Sequence, residues 1–273
     1  MRPEVLARLA ALNRAFYAEQ GEAFAATRPR LAAGIRRVLE RVPAGARVLE
    51  AGCGDGKVGR WLARNVEAVT YVGLDASAVM LERAQRITEL WAVNSEQSIT
   101  SLATAHSSLR FLNADLLTTD WSSALSDQLF DWVFAFAVFH HLPGAEARAR
   151  VMGTLAGRLR PGGWLALSNW QFTRSERLRR RLAAWDRLGL AEADVETGDY
   201  LLTWERGAGR GLRYVHLLDE AEARGLAAGA GLAVREVFQA DGHSGDLAEY
   251  VLLHKPAGGT GQTEGPAADV SLI

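Results

Sequence analysis

A single cysteine, Cys53, among 273 residues excludes an internal disulfide and any cysteine-rich zinc site, and no metal centre is expected. Neither sign of charge is in excess. With 31 basic and 32 acidic side chains the formal net charge is −1, so bulk electrostatics alone does not draw this chain to nucleic acid or an anionic membrane. Long apolar runs are missing too: the longest, residues 132–139, is well short of the ~20 residues of a membrane span and suits a buried strand. The first twenty residues carry charges throughout and read as an amphipathic helix, not a signal peptide. No internal repeat is visible. A hydrophobic fraction of 48% beside 23% charged residues is that of a globular protein, which excludes wholesale disorder. These absences lead us to expect a soluble cytoplasmic protein of one large α/β domain or two small ones.

Residues 1–43 read as a helical segment, with Leu6, Leu9 and Leu12 on one stripe and Leu31, Ile35, Val38 and Leu39 on a second, closed by the breaker Pro43-Ala44-Gly45. Short apolar runs then alternate with helical patterns. Strands are expected at 47–51, 70–74, 109–112, 131–137 and 164–168, and helices at 58–65, 78–91 and 146–158. Two further runs, 232–240 and 247–254, flank a turn at 241–245. Five parallel strands finished by an antiparallel hairpin, with helices on both faces, is the architecture this implies for residues 44–256. An excursion at 171–215, rich in arginine and tryptophan, is too long for an ordinary connection and reads as a lid or substrate platform. Residues 90–108 read as a lengthened surface loop, and 257–273 as a disordered tail.

The stretch Val48-Leu49-Glu50-Ala51-Gly52-Cys53-Gly54-Asp55-Gly56 carries the chemistry. Glycines at alternate positions let the backbone turn sharply and let a ligand lie on main-chain atoms. A dinucleotide fingerprint would read G-x-G-x-x-G with a helix end facing pyrophosphate. Here Glu50 stands just ahead, a charge that repels pyrophosphate and suits an ammonium or sulfonium ligand. Cys53 reads as a small buried spacer.

This stretch resembles the first motif of class I S-adenosylmethionine-dependent methyltransferases, and further motifs follow in order over roughly residues 44–170. Asp75, closing Tyr71-Val72-Gly73-Leu74-Asp75, matches the acid that takes both ribose hydroxyls, with Ala76 beside it. Asp115 and Leu116 match the residues at the adenine, and 131–143, which contains Ala137, matches the strand and loop under the methyl donor. Leu159-Arg160-Pro161-Gly162-Gly163 matches the turn before strand five. The resemblance implies a Rossmann-like fold with a mixed seven-stranded sheet. It also implies S-adenosyl-L-methionine as cofactor, leaving S-adenosyl-L-homocysteine, held by Glu50, Gly52, Cys53, Gly54, Gly56, Asp75, Ala76, Asp115, Leu116, Ala137 and Arg28.

Outside that core, Phe16-Tyr17 with Phe24 and Thr27-Arg28-Pro29, His140-His141-Leu142, Gly198-Asp199 to Trp204, and Arg213-Tyr214-Val215-His216 resemble the tRNA wobble-uridine carboxymethyl methyltransferases. That resemblance implies methyl esterification of a carboxymethyl uridine in tRNA, with Arg213, His216, His141 and Tyr214 as catalytic or pocket residues. In the eukaryotic members it also implies a small zinc-binding activator subunit. A carboxylate is already ionised at neutral pH and needs no strong base, and a guanidinium such as Arg213 can hold it bidentately. An ion pair of Arg213 with Asp199 or Asp219 is the structural alternative. Arg174, Arg177 and Arg181 share one face if their segment is helical, a local phosphate-binding surface. Three other readings stay open: methylation of a small-molecule carboxylate or phenol, a cofactor-binding regulator without catalysis, and, last, a nicotinamide oxidoreductase, which Glu50 disfavours.

Overall fold

The computed structural model describes residues 1–94, 108–118, 120–206 and 209–257. Of the surface loop expected at 90–108, residues 95–107 lie outside them, 90–94 continue a helix and 108 opens a strand; the expected tail lies outside them from 258 onward.

Two helices lead in, α1 (Pro3–Ala26), with Pro3 at its first turn where a missing N–H costs nothing, and α2 (Ala33–Leu39). Then come β1 (Arg47–Ala51), α3 (Lys57–Asn65), β2 (Thr70–Asp75), α4 (Ala78–Asn94), β3 (Ser108–Asn113), β4 (Phe130–Phe136), α5 (Ala145–Gly157) and β5 (Leu159–Trp170). After a four-residue turn of helix, α6 (Glu176–Arg179), the strands β6 (Leu182–Ala183), β7 (Asp199–Arg206) and β8 (Gly209–His216) follow. The chain finishes with α7 (Glu220–Gly229), β9 (Ala233–Ala240) and β10 (Ala248–His254). The main sheet has the order β3-β2-β1-β4-β5-β10-β9: β1 to β5 are parallel, and β10 lies antiparallel between β5 and β9. The expected mixed seven-stranded sheet is therefore present. Strands β2, β3 and β5 extend beyond their expected bounds, β5 most of all, because it pairs with β4 from Leu159 and with β10 as far as Trp170.

Central strands are buried on both faces, so β1 and β4 read as apolar runs without alternation. One layer of core packs Leu49, Val133, Leu165 and Val251 under α5 and α7; the other packs Val48, Trp132, Phe134 and Leu252 under α2 and α3. Trp132 stacks on Trp164 with centroids 5.8 Å apart, as a core residue. Parallel β1 to β5 bring their C-terminal ends to one edge, where open α/β sheets bind ligands.

The excursion folds as a separate three-stranded antiparallel sheet, β6-β7-β8. α1 packs across it through Val5 and Leu9 against Trp185, Leu201 and Tyr214. The arginine segment does not form the continuous helix face expected of it: α6 is one turn long, Arg174 precedes it and Arg181 follows it.

A polar staple fastens this small sheet to the main domain. Asp199 Oδ1 accepts from the Tyr214 hydroxyl (2.6 Å) and pairs with His216 Nδ1 (2.7 Å), while His216 Nε2 reaches Glu222 on α7 (2.7 Å). Arg148 on α5, only 2% exposed, donates to Glu222 (2.7 Å) and Glu196 (2.9 Å). Burial pulls His216 toward its neutral form, but hydrogen bonds to Asp199 and Glu222 outweigh that and hold its pKa above the ordinary value. Glu196, Asp199 and His216 bring ligand-type atoms within 4.8 Å of one another, yet those groups already bond within the staple. Removing one member of a buried charge network strands the others. Arg148→Met is expected to lower unfolding free energy by about 3–5 kcal/mol in urea titrations.

Candidate functional site

The loop after β1 sets the floor of a cleft of about 900 Å³. Gly52, Gly54 and Gly56 all have left-handed φ (70°, 54° and 75°), a region where side chains other than glycine are strained. Space agrees with conformation at two of them. A Cβ on Gly52 would lie 2.6 Å from Val138, and one on Gly56 2.7 Å from Phe111. Asp75, at the end of β2, organises the loop: Oδ2 accepts from the Gly54 N–H (2.8 Å) and Oδ1 from the Ser77 N–H (2.9 Å). Burial raises the Asp75 pKa against both of these bonds.

Glu50, at the tip of β1, is 3% exposed and accepts from the Tyr71 hydroxyl. Burial pushes its pKa up to about 8, with Asp75 and Asp55 adding to the rise. Burial thus favours the neutral acid over the free carboxylate expected from the sequence. Cys53 is buried with its thiol pKa raised, as a spacer would be.

Asp115 follows β3. Its Oδ1 accepts from the Leu117 N–H (2.9 Å) and its Oδ2 pairs with Arg14 of α1 (3.0 Å). After β4, Ala137 is a non-glycine residue at φ 57°, held there by bonds from its N–H to both the carbonyl and the hydroxyl of Ser168 (3.0 Å each). Such strain persists where the surroundings over-determine it and gathers at ligand sites. Tyr17, Phe24 and Arg28 of the leading segment form the opposite wall. Arg28 lies over the Phe24 ring (3.9 Å), and burial together with nearby Arg213 lowers its pKa to about 10.

At the far end lies Arg213, 5% exposed, its guanidinium over Trp170 (4.8 Å), Phe24 (5.1 Å) and Phe16 (5.6 Å). The ion pairs considered from sequence do not form: Asp199 is engaged in the staple, and Asp219 caps α7 by accepting from the Glu222 N–H (2.8 Å). Among the described residues no carboxylate pairs with Arg213, and its Nε has no hydrogen-bond partner. Buried polar groups are normally satisfied, so a cation left open beside a cleft marks a place for an anion. His141 joins it, with Nε2 2.8 Å from the Tyr17 hydroxyl, and burial plus Arg213 drive its pKa down to about 3.

Of the residues picked out from sequence, Glu50, Gly52, Cys53, Gly54, Asp75, Ala76, Asp115, Leu116, Ala137, Arg28, His141 and Arg213 line this cleft together. Gly56 instead starts α3, while Tyr214 and His216 point into the staple and Trp204 packs edge-on against Phe16 (5.7 Å). Sequence reading missed Asn13, Arg14, Ser168 and Trp170. Asn13 carried one usable signal, a polar side chain on the apolar stripe of α1. It is buried, donates to the carbonyls of His141 (3.3 Å) and Tyr214 (3.1 Å), and accepts from the Tyr214 N–H (2.9 Å).

Comparison with known proteins agrees with this geometry. A family described as "Methyltransferase domain" matches residues 23–237. The uncharacterized methyltransferase Rv0089 of Mycobacterium tuberculosis is 31% identical over 151 residues, 55% of this chain and 64% of its own length. The chain thus matches less than two thirds of that curated relative. Among solved structures, a SAM-dependent methyltransferase of Methanosarcina mazei superposes with TM-score 0.59 at 17% identity, covering 81% of this chain and 98% of that one. A putative methyltransferase of Haloferax volcanii, solved in complex with its Trm112 activator, gives TM-score 0.59 at 16% identity over 91% and 99% of the two chains. Further neighbours of this fold hold S-adenosylmethionine or S-adenosylhomocysteine in the crystal. The left-handed glycine turn, the carboxylate of Asp75 facing the same cleft and the space above them fit such a nucleoside. The chain belongs to this methyltransferase-domain family and has the Rossmann-like fold of such methyltransferases.

Proposed function

We propose that this protein transfers the methyl group of S-adenosylmethionine to a carboxylate oxygen of its acceptor, forming a methyl ester. The observation that carries the reading is Arg213, a buried guanidinium with no carboxylate of its own. When bound, the cofactor supplies a methyl group on a positively charged sulfur. Asp75 is assigned to the ribose hydroxyls, Asp115 and Leu116 to the adenine, and Gly52, Cys53, Gly54 and Ala76 to the nucleoside's bed. Arg28 is assigned to the amino-acid carboxylate.

On the acceptor side, Arg213 binds and orients the carboxylate, and Trp170 and Phe24 keep water from it. Orientation and avoided solvent reorganisation lower such a barrier by several kcal/mol, up to about 7–11 in ideal cases. A hydroxyl acceptor would need a base near neutrality, and His141, with its pKa near 3, is a poor one. That favours an acceptor already ionised.

The leading acceptor is a carboxymethylated wobble uridine in tRNA, by the resemblance of the leading segment and the Arg213 region. Exposed Arg174, Arg177 and Arg179 are available to phosphates there. An activator subunit belongs to the same reading; the Haloferax neighbour was solved with one. A small-molecule carboxylate is the second reading, favoured by the apolar walls around Arg213. Incubation with labelled cofactor and total tRNA, followed by nucleoside mass spectrometry, separates them. Label in a methyl-esterified uridine supports the first, and label only in acidic metabolites supports the second. Label in a phenol or alcohol overturns the carboxylate reading.

Two variants test the roles. Arg213→Ala is expected to leave S-adenosylhomocysteine affinity unchanged by calorimetry while lowering kcat/KM by about 10²-fold, a lost charged hydrogen bond of roughly 3 kcal/mol. An equal loss in both marks Arg213 as structural. For Glu50, a cation entering beside a group with pKa about 8 expels its proton, so binding of S-adenosylmethionine at pH 7 is expected to release protons. Calorimetry in buffers of different ionisation enthalpy measures this, and Glu50→Gln should abolish the release.

A further inference from the structure

We infer that Arg14, on α1, is a cofactor-binding residue that reads the adenine edge together with Asp115: Asp115 accepts from the amino group, and Arg14 donates to a ring nitrogen beside it. This rests on the assignment of Asp115 to the adenine proposed above and goes beyond it by supplying the donor.

α1 roofs the cleft. Ala10, Asn13, Arg14, Tyr17 and Ala18 line it at helical spacing, one stripe of a single helix. The helix is fixed on both sides of Arg14. Asn13, the residue before it, is tied to the main chain of His141 and Tyr214. Further along α1, Gly21 lies so close to α4 that an added Cβ would sit 3.3 Å from the sulfur of Met80, and Glu22 pairs with Arg86 of α4 (3.2 Å). Arg14 thus leaves the helix from a set point beside the nucleoside end.

Its guanidinium crosses from α1 to the loop after β3, where Nη1 donates to Asp115 Oδ2 (3.0 Å). Oδ1 of Asp115 holds the Leu117 N–H (2.9 Å), so each carboxylate oxygen has one partner and keeps a lone pair for an incoming donor. Arg14 keeps more. A guanidinium carries five N–H donors, and among the described residues only Asp115 takes one. A ligand group that reaches Asp115 from the cleft therefore meets an acceptor and a donor side by side. Adenine offers the complement, an amino group flanked by ring nitrogens with free lone pairs.

The pair is poor as a fastening. Arg14 is 51% and Asp115 25% exposed, and ion pairs so open to water contribute little to folding. Its effect is to hold a flexible side chain beside the carboxylate, so that less freedom is lost when a ligand arrives.

Calorimetric titration with S-adenosylhomocysteine and with its 1-deaza and 7-deaza analogues, each replacing one flanking nitrogen by CH, tests the donor. Arg14→Met, which keeps an apolar stem, is expected to weaken S-adenosylhomocysteine binding about tenfold. One analogue is expected to bind wild type about tenfold more weakly than the parent compound and to lose that penalty in Arg14→Met. Should Arg14→Met also lower the melting temperature, the analogues still decide, because a merely structural role leaves their penalty intact. Asp115→Ala reports on the assignment of Asp115 and is expected to weaken all three ligands. Unchanged affinity in Asp115→Ala overturns that assignment and the inference with it. Where Asp115→Ala binds weakly, unchanged or tighter binding in Arg14→Met overturns the inference alone. So does an analogue penalty that is absent from wild type or as large in Arg14→Met.

Discussion

A guanidinium withdrawn from water and given no carboxylate is the constraint around which this molecule is arranged. Burying an unpaired ion costs several kcal/mol even after relaxation. Three aromatic faces around Arg213 offset part of that, at about 0.5–2 kcal/mol each. The rest is held by architecture. β8 carries Arg213 and is paired along its length with β7; Asn13 locks it to α1, and the Asp199–His216–Glu222–Arg148 staple locks it to α5 and α7. Were the small sheet loose, Arg213 would swing into water. The stability of that sheet and the openness of that charge are one design seen from two sides.

The two ends of the cleft differ in the same electrostatic sense as the ligands assigned to them. On the proposed reading, Glu50, Asp75 and Asp115 serve the cofactor's cationic centre and nucleoside, and Arg28 and Arg213 serve carboxylates, all within one cleft. Burial shifts four of these groups toward their neutral forms, Glu50 and Asp75 upward and both arginines downward. Opposite charges brought in by ligands reverse those shifts. On that reading, ligand binding is coupled to protonation at the Glu50 end and to loss of mutual repulsion between two arginines at the other.

Much of the fold was legible because its signals are local. Apolar runs at β1, β2 and β4 and the breakers between them stand out along the chain, and the glycine turn after β1 is visible because left-handed φ demands glycine there. Long-range chemistry was not legible. The raised pKa of Glu50 comes from burial that only the folded sheet creates, against a hydrogen bond from Tyr71, twenty-one positions away, and His141 meets the hydroxyl of Tyr17 from a different helix. The role of Asn13 requires knowing that β8, two hundred residues later, lies against α1. Ala137 gives no hint of its strain, since alanine is compatible with the strand that precedes it.

The same distinction explains why the acceptor is harder to read than the cofactor. The elements Gly198-Asp199 to Trp204 and Arg213-Tyr214-Val215-His216 look in sequence like a block of pocket residues. In three dimensions strand alternation divides them. Arg213 turns toward the cleft, while Asp199, Tyr214 and His216 turn into the staple and Trp204 braces Phe16. Motif residues can thus recur together because a small sheet must be fastened in place, whatever molecule is then brought to the one side chain that faces the ligand. Fastening leaves the nature of the acceptor's body free to vary, and on the proposed reading Arg213 dictates only the sign of its charge.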